Sequence, residues 1–153
     1  MKRKDGYSKQ VLSFILLIFT QSCTPMPQTP GQDMQYVDYK LISCKEHEAG
    51  LVVWFATNDE KSTRHFALSK LDNTLVVGFS GGKGVVDWSD VETITYSKLN
   101  DAEGYVSIEF DRPYSFISWR KYKVLEFGVM SVECWRVLEA TVNGEIRTEI
   151  IEG

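Results

Sequence analysis

Histidine and cysteine are scarce in this chain, which has two histidines and three cysteines among its 153 residues. So few ligands exclude a metal site rich in either residue type. The sequence also lacks a Cys-x-x-Cys pair, the usual spacing of redox-active cysteines. The composition is 43% apolar and 12% aromatic, which is typical of a globular protein. It excludes disorder and a coiled coil as descriptions of the whole chain.

Long apolar runs are absent too, and the one clear run, Val11–Thr20, has ten residues. A membrane-spanning helix needs about 20 such residues. The run follows a basic start that contains Lys2, Arg3, Lys4 and Lys9. A basic start followed by a short apolar run predicts a secretory signal peptide.

The residues that end this run, Thr20-Gln21-Ser22-Cys23, resemble the lipobox of bacterial lipoprotein precursors. In that family a small residue precedes an obligatory cysteine, and Ser22-Cys23 fits. Thr20 and Gln21 depart from the usual leucine and small residue. The resemblance implies cleavage after Ser22 and a lipid on Cys23. The alternatives are an ordinary signal peptide with an incidental cysteine, or an uncleaved anchor.

The chain therefore divides into a signal peptide at 1–22, a lipidated cysteine with a proline-rich tether at 23–35, and one β domain at 36–153. Three of the four prolines lie between residues 25 and 30, which favours an extended tether. Residues 23–153 contain 13 basic and 20 acidic residues, a net charge of −7. This charge argues against binding to nucleic acid or adhesion to an anionic membrane surface.

If Cys23 carries lipid, Cys44 and Cys134 remain. Two cysteines in an exported domain predict one disulfide. The alternative is a pair of buried free thiols. A bridge between them would join a strand near the start of the domain to one near its end.

From Tyr36 onward, short runs rich in β-branched and aromatic residues alternate with polar turns, which predicts strands. We expect an all-β fold, an antiparallel sandwich or small barrel of eight to ten strands. Pro113 is expected in a joint between strands. The predicted strands are Tyr36–Cys44, Leu51–Thr57, Arg64–Ser69, Thr74–Phe79, Gly84–Trp88, Val91–Leu99, Gly104–Asp111, Phe116–Trp119 and Tyr122–Gly128.

The C-terminal stretch has two interpretations. The favoured one is a β-hairpin, with Val132–Val142 and Glu145–Glu152 as strands around an Asn143-Gly144 turn. The alternative is one C-terminal helix, capped by Ser131 and ended at Gly144.

Two segments partly match motifs for catalysis or metal binding, but the rest of the sequence lacks the residues that these motifs require. Gly78–Gly82 matches G-x-S-x-G, but both histidines precede Ser80 and no helix start follows it. A glycine-rich hairpin turn explains this segment better. Glu46-His47-Glu48 has no second ligand cluster and is interpreted as a solvated turn. The sequence predicts no catalytic residue, no metal site and no cofactor.

A possible binding surface is suggested by tryptophans next to turns and by a basic cluster in an acidic body. An exposed indole can stack on a ligand, and clustered cations suit an acidic group. The alternatives are core tryptophans and a solvated basic loop. The candidate residues are Trp88, Trp119, Arg120, Lys121 and Lys123.

These features favour a lipid-anchored protein of the bacterial cell envelope, facing the periplasm or the cell surface, that acts as a non-enzymatic binding or accessory module. Its partner would be an envelope protein or a glycan. One alternative is an envelope hydrolase that uses unidentified carboxylates. Another is an inhibitor of a cell-wall hydrolase, because Ser80–Lys83 resembles a loop of the membrane-anchored lysozyme inhibitors. Gly84 and Val85 stand where that family has an aromatic residue, so no inhibitory residue is assigned.

Overall fold

The computed structural model of the protein describes residues 39–117 and 120–153. The predicted signal peptide, Cys23, the tether and the first residues of the predicted strand at Tyr36 lie outside these ranges. The described residues form one α-helix, α1 (Val132–Val142), a 3-10 turn (Trp88–Asp90) and nine strands. The strands are β1 (Lys40–His47), β2 (Gly50–Ala56), β3 (Thr63–Ser69), β4 (Thr74–Phe79), β5 (Gly82–Asp87), β6 (Val91–Lys98), β7 (Glu103–Ile117), β8 (Arg120–Ser131) and β9 (Thr148–Ile151).

All nine strands belong to one sheet, in the order β5-β4-β3-β2-β1-β8-β7-β6-β9. Strands β1 to β5 form an antiparallel meander, and β6, β7 and β8 form another. Two pairings are parallel: β6 with β9, and β1 with β8 through Lys40 and Val129 only. Strands β5 and β9 are the edges of the hydrogen-bonded order, so hydrogen bonds do not close this sheet. The prediction of a mainly β domain is confirmed.

Alternation along the strands determines which face of the sheet is buried. In β2 the side chains of Leu51, Val53 and Phe55 are at most 1% exposed, whereas Val52 and Trp54 between them are partly exposed. Strand β3 repeats the pattern, with Phe66 and Leu68 buried. Cross-strand neighbours share a face. The core therefore lies on one side of the sheet, and the other side faces outward.

Strand β5 approaches the second half of β7, which shows that the sheet curls strongly. A Cβ atom added to Gly84 in β5 would lie 2.6 Å from the ring of Phe116 in β7. Phe116 itself is 7% exposed. Because residue 84 has no side chain, the Phe116 ring can pack over β5 at this point.

The favoured hairpin at residues 132–142 is wrong, and the helix alternative is confirmed. Ser131 caps the N-terminus of α1, because its Oγ accepts a hydrogen bond from the Cys134 amide at 3.3 Å. Asn143 ends the helix in a left-handed conformation, and its amide donates to the Glu139 carbonyl. Burial of Trp135, Leu138 and Val142 on one helical face stabilises this choice.

The predicted joint at Pro113 and the separate strand Phe116–Trp119 are also wrong. Strand β7 continues through Pro113 to Ile117. Pro113 lies beyond the last pair with β6, Val91 with Phe110, and within a register irregularity of the pairing with β8. Its missing N–H therefore removes no regular ladder bond.

The predicted pairing of Cys44 with Cys134 agrees with the structure, which places the two residues in a disulfide with a Cα–Cα distance of 6.1 Å. The elements joined differ from the prediction, because the bridge connects β1 to the first turn of α1. Strand β1 pairs with β8 at one position only. The disulfide thus holds the helix against a part of β1 that is paired with β2 but no longer with β8.

Candidate binding surface

Two rows of side chains cross the outward face of strands β1 to β5. In register, the first row is Ser43, Trp54, His65, Gly78 and Lys83, and the second is Lys45, Val52, Ala67, Val76 and Val85. None of these side chains belongs to the core, and Val85 is 62% exposed. We call the two rows the aromatic strip. The other apolar and aromatic side chains of the two rows are partly exposed, and an apolar area of this kind flanked by polar side chains is typical of an interaction surface.

Trp54 and His65 form the centre of the aromatic strip. Their rings are stacked, with centroids 4.0 Å apart and planes inclined by 22°. The imidazole occupies the space that a side chain on residue 78 would fill, since a Cβ added to Gly78 would overlap the His65 ring. A glycine in β4 therefore lets the imidazole fold down against the sheet. The stack presents a rigid aromatic group of the kind that dominates binding energies.

The charge of the aromatic strip differs from that of the body. Residues 39–153 contain 13 basic and 18 acidic residues, a net charge of −5. Neither row of the strip contains a carboxylate, and its two exposed cations are Lys45 and Lys83. Within the described residues neither lysine forms a salt bridge. The strip thus carries a lysine at each end on an acidic domain, and Asp87, the next outward residue of β5 after Val85, is the nearest carboxylate along that strand.

Burial in the stack and, to a smaller extent, the nearby Lys83 charge lower the pKa of His65 below its usual 6.5. The imidazole is therefore neutral at neutral pH. As the pH falls, the imidazole of the unfolded chain is protonated at a higher pH than that of the folded chain. The contribution of His65 to stability is therefore complete above about pH 6.5. It is lost as the pH falls from there through the folded-state pKa.

We expect Gly78→Ala to displace the His65 ring from the stack without unfolding the domain. The new Cβ meets a side-chain ring that can rotate away, so the stability cost is about 1 kcal/mol or less. The displaced imidazole becomes hydrated, and its pKa rises towards 6.5. An NMR titration of the His65 ring measures this change.

The matched control is Gly81→Ala in the turn between β4 and β5, where an added Cβ meets no atom within 4 Å. This variant leaves the His65 titration as in the parent protein. An unchanged titration in Gly78→Ala would contradict the packing of the imidazole over residue 78.

No family model, curated protein or solved structure is detectably similar to this chain. In the ranges 39–117 and 120–153, no helix is long and apolar enough to cross a membrane. The same ranges hold no group of three His, Cys, Asp or Glu side chains placed to share a metal ion. The candidate site therefore rests on the geometry of the chain itself.

The expectation that Trp88 is exposed is wrong. Its side chain is 5% exposed and belongs to the core, where the indole Nε1 has no hydrogen-bond partner among the described residues. The 3-10 turn that begins at Trp88 directs the indole inward. The backbone amide of Trp88 donates a hydrogen bond to the Asn73 carbonyl at 2.8 Å. Adjacency to a turn did not predict exposure, because this turn packs on the sheet. Trp119, the other predicted tryptophan, lies outside the described residues.

The basic cluster at the start of β8 is exposed, as predicted, but strand alternation divides it. Lys121 and Lys123 lie on one face of β8 and Arg120 on the other. Lys123 Nζ lies 3.2 Å from Glu109 and 3.6 Å from Glu92. These carboxylates, Glu109 first, raise the pKa of Lys123. Much of its charge is therefore compensated within the protein.

A shallow cleft of about 490 Å³ lies beside the buried Trp88. Three carboxylates are among its lining residues, whereas a carboxylate hydrolase requires two carboxylates that face each other across a cleft. The cleft is open to solvent rather than deep. Its lining residues are Asp72, Asn73, Asp87, Trp88, Ser89 and Glu145.

Ser80 lies in the hairpin turn that the sequence predicts. Glu46 and His47 lie in strand β1 rather than in the predicted turn, because the pairing of β1 with β2 continues to His47 and Gly50. Ser80 is in the turn between β4 and β5, and its Oγ accepts a hydrogen bond from the Thr63 amide at 2.9 Å. The side chains of Glu46, His47 and Glu48 are exposed at the end of β1.

Sequence reasoning missed Arg64, a buried cation on the core side of β3. Its side chain is 8% exposed, Nη1 donates to the Glu126 carbonyl at 3.0 Å, and the guanidinium lies 3.7 Å from the centre of the Tyr39 ring. Burial lowers its pKa, and Tyr39 and Glu126 oppose that shift. The residue thus links β3 to β8 and to the first described residue of the chain.

Proposed function

We propose that this protein is a lipid-anchored envelope protein whose β domain binds another molecule through the aromatic strip. The observation that carries this proposal is the Trp54–His65 stack on an outward face that also presents Val52, Val76 and Val85. Such a face gains free energy when a partner covers it. The proposed activity is binding, and no reaction is assigned to the strip.

The anchor is supported by the sequence. The lipobox-like Ser22-Cys23 follows a signal-peptide pattern and precedes a proline-rich tether. Fifteen residues separate Cys23 from the first described residue, Tyr39, and the sixteen Cα–Cα steps between the two span at most about 55 Å when extended. The Cys44–Cys134 disulfide supports an oxidising compartment.

We also propose that the curled sheet functions as a barrel-like scaffold. The approach of β5 to Phe116 on β7 supports this architecture. A strongly curled sheet holds the five strands of the aromatic strip in fixed register, so the binding surface is formed before the partner arrives.

Replacement of the lipobox cysteine tests the anchor. We expect Cys23→Ala to move the protein from the membrane fraction to the soluble fraction, or to stop its processing. Without the thiol no thioether lipid can form. Cys44→Ala, which leaves the lipobox intact, is the control and should remain in the membrane fraction. Unchanged fractionation and size of Cys23→Ala would contradict the anchor.

Site-specific photocrosslinking in the native cells tests the binding surface. We expect p-benzoylphenylalanine in place of Val85 to give a covalent adduct. The same probe in place of Leu71, which is 79% exposed in the turn between β3 and β4, is the control and should give none. Equal adducts from the two positions, or none from either, would contradict binding through the strip.

A further inference from the structure

We infer that the partner of the aromatic strip is a protein with an apolar centre and carboxylates at two opposite sides of its contact area. This inference rests on the proposed function and specifies the chemistry of its partner. It follows from the distribution of charge around the strip, from its symmetry and from the shape of its apolar side chains.

The first argument is charge complementarity. Lys45 lies at the β1 end of the strip and Lys83 at the β5 end. Four strand spacings separate these ends, about 19 Å along the sheet. No carboxylate occurs in either row, although the described chain carries a net charge of −5. Two cations at opposite ends of an apolar area select a partner with acidic groups at matching positions.

The charges at the ends of the strip disfavour a second copy of this chain as the partner. A two-fold dimer through the strip brings the same surface of both copies together. In a dimer whose two strips lie along each other, each lysine end would face a lysine end of the other copy, because both ends of the strip carry a lysine. Such like-charge contacts are costly at an interface. Self-association through this face is therefore disfavoured.

The apolar side chains of the strip fit a protein partner better than a lipid surface. The apolar side chains around Trp54 are short, namely Val52, Ala67 and Val76, and they lie on a sheet face with only partial exposure. Groups that insert into a bilayer boundary are long or aromatic side chains on an apolar face with a basic opposite face. The acidic body would also be repelled by anionic headgroups. An apolar centre of short side chains with a lysine at each end fits a protein surface instead.

Within this interface Trp54 is the expected binding hot spot. It lies between the two lysine ends and is stacked on His65. Truncation of a central tryptophan typically costs about 2 kcal/mol or more of binding free energy, which is about a thirtyfold loss of affinity. Gly78→Ala should weaken binding in the same direction, because it removes the support of the stack.

The test uses the full-length chain with p-benzoylphenylalanine in place of Val85, produced in its native cells. The adduct is identified by mass spectrometry, and its yield is compared among variants of equal abundance that retain the Cys44–Cys134 disulfide. We expect a protein adduct whose yield falls at least tenfold in Trp54→Ala and in the double variant Lys45→Glu/Lys83→Glu. The control Lys70→Glu changes an exposed lysine in the turn between β3 and β4, outside both rows of the strip, and should leave the yield unchanged.

Each other outcome overturns a defined part of the account. An adduct with lipid, glycan, a second copy of the chain or its own residues 24–38 overturns the acidic protein partner and leaves binding through the strip intact. The same holds for a protein adduct that is insensitive to the Lys45/Lys83 reversal or is lost in Lys70→Glu. Absence of any adduct above the Leu71 control overturns both this inference and the proposed function.

Discussion

Removing the disulfide is expected to lower the free energy of unfolding by about 4 kcal/mol. Cys44 and Cys134 are 90 positions apart, so the bridge closes most of the domain into one loop and restricts the unfolded chain strongly. In the folded state the bridge also connects α1 to β1, at a point where β1 is no longer paired with β8. Few other contacts can replace that connection.

The measurement is urea unfolding of Cys44→Ala, Cys134→Ala and the double variant. Both single variants should lose the same free energy, and the double variant should lose no more than either, because each change removes one shared bond. The parent protein in reducing buffer should match them. Additive losses, or a parent protein insensitive to reductant, would show that the two cysteines act separately.

Trp135→Ala is expected to cost about 3 to 5 kcal/mol, the usual range for truncating a buried tryptophan. Trp135 is 1% exposed and stacks on Tyr96 of β6, with ring centroids 5.0 Å apart. Trp135 lies on the same buried face of α1 as Leu138. It therefore anchors α1 to the meander formed by β6, β7 and β8. The cavity left behind is enclosed by rigid strands and cannot readily collapse.

Trp54→Ala provides the matched comparison, since it deletes the same side chain from the outward face. Its cost in unfolding free energy should be about 1 kcal/mol, while binding through the strip is lost. Thermal or urea unfolding of the two variants measures the difference. Equal destabilisation by the two substitutions would contradict the assignment of Trp135 to the core and of Trp54 to a functional surface.

Strands bounded on both sides by clear turn residues could be predicted from the sequence alone. Strand β4, Thr74–Phe79, has the predicted bounds, because the Leu71–Asn73 and Ser80–Gly81 turns define both of its ends. The region after Ser131 could not be settled in the same way. There an Asn143-Gly144 pair fits both a hairpin turn and a helix end, and burial of Trp135 against Tyr96 decides for the helix.

The candidate site was harder to predict than the fold, because it depends on register. Alternation in β2 and β3 already places Trp54 and His65 on the faces opposite Val53 and Phe66. Only the pairing of β2 with β3 brings the two rings together, and that pairing depends on the loop at residues 57–62. The placement of Trp88 in a binding surface was wrong because a position beside a turn does not determine which way the indole points.

The intact mass of the protein extracted from membranes of its native cells tests the central claim, a lipid-anchored and disulfide-bonded envelope module. We predict a species that begins at Cys23, carries acyl groups, and is two hydrogens lighter before reduction than after it. A full-length species without lipid, with the same mass before and after reduction, would contradict both the anchor and the bridge.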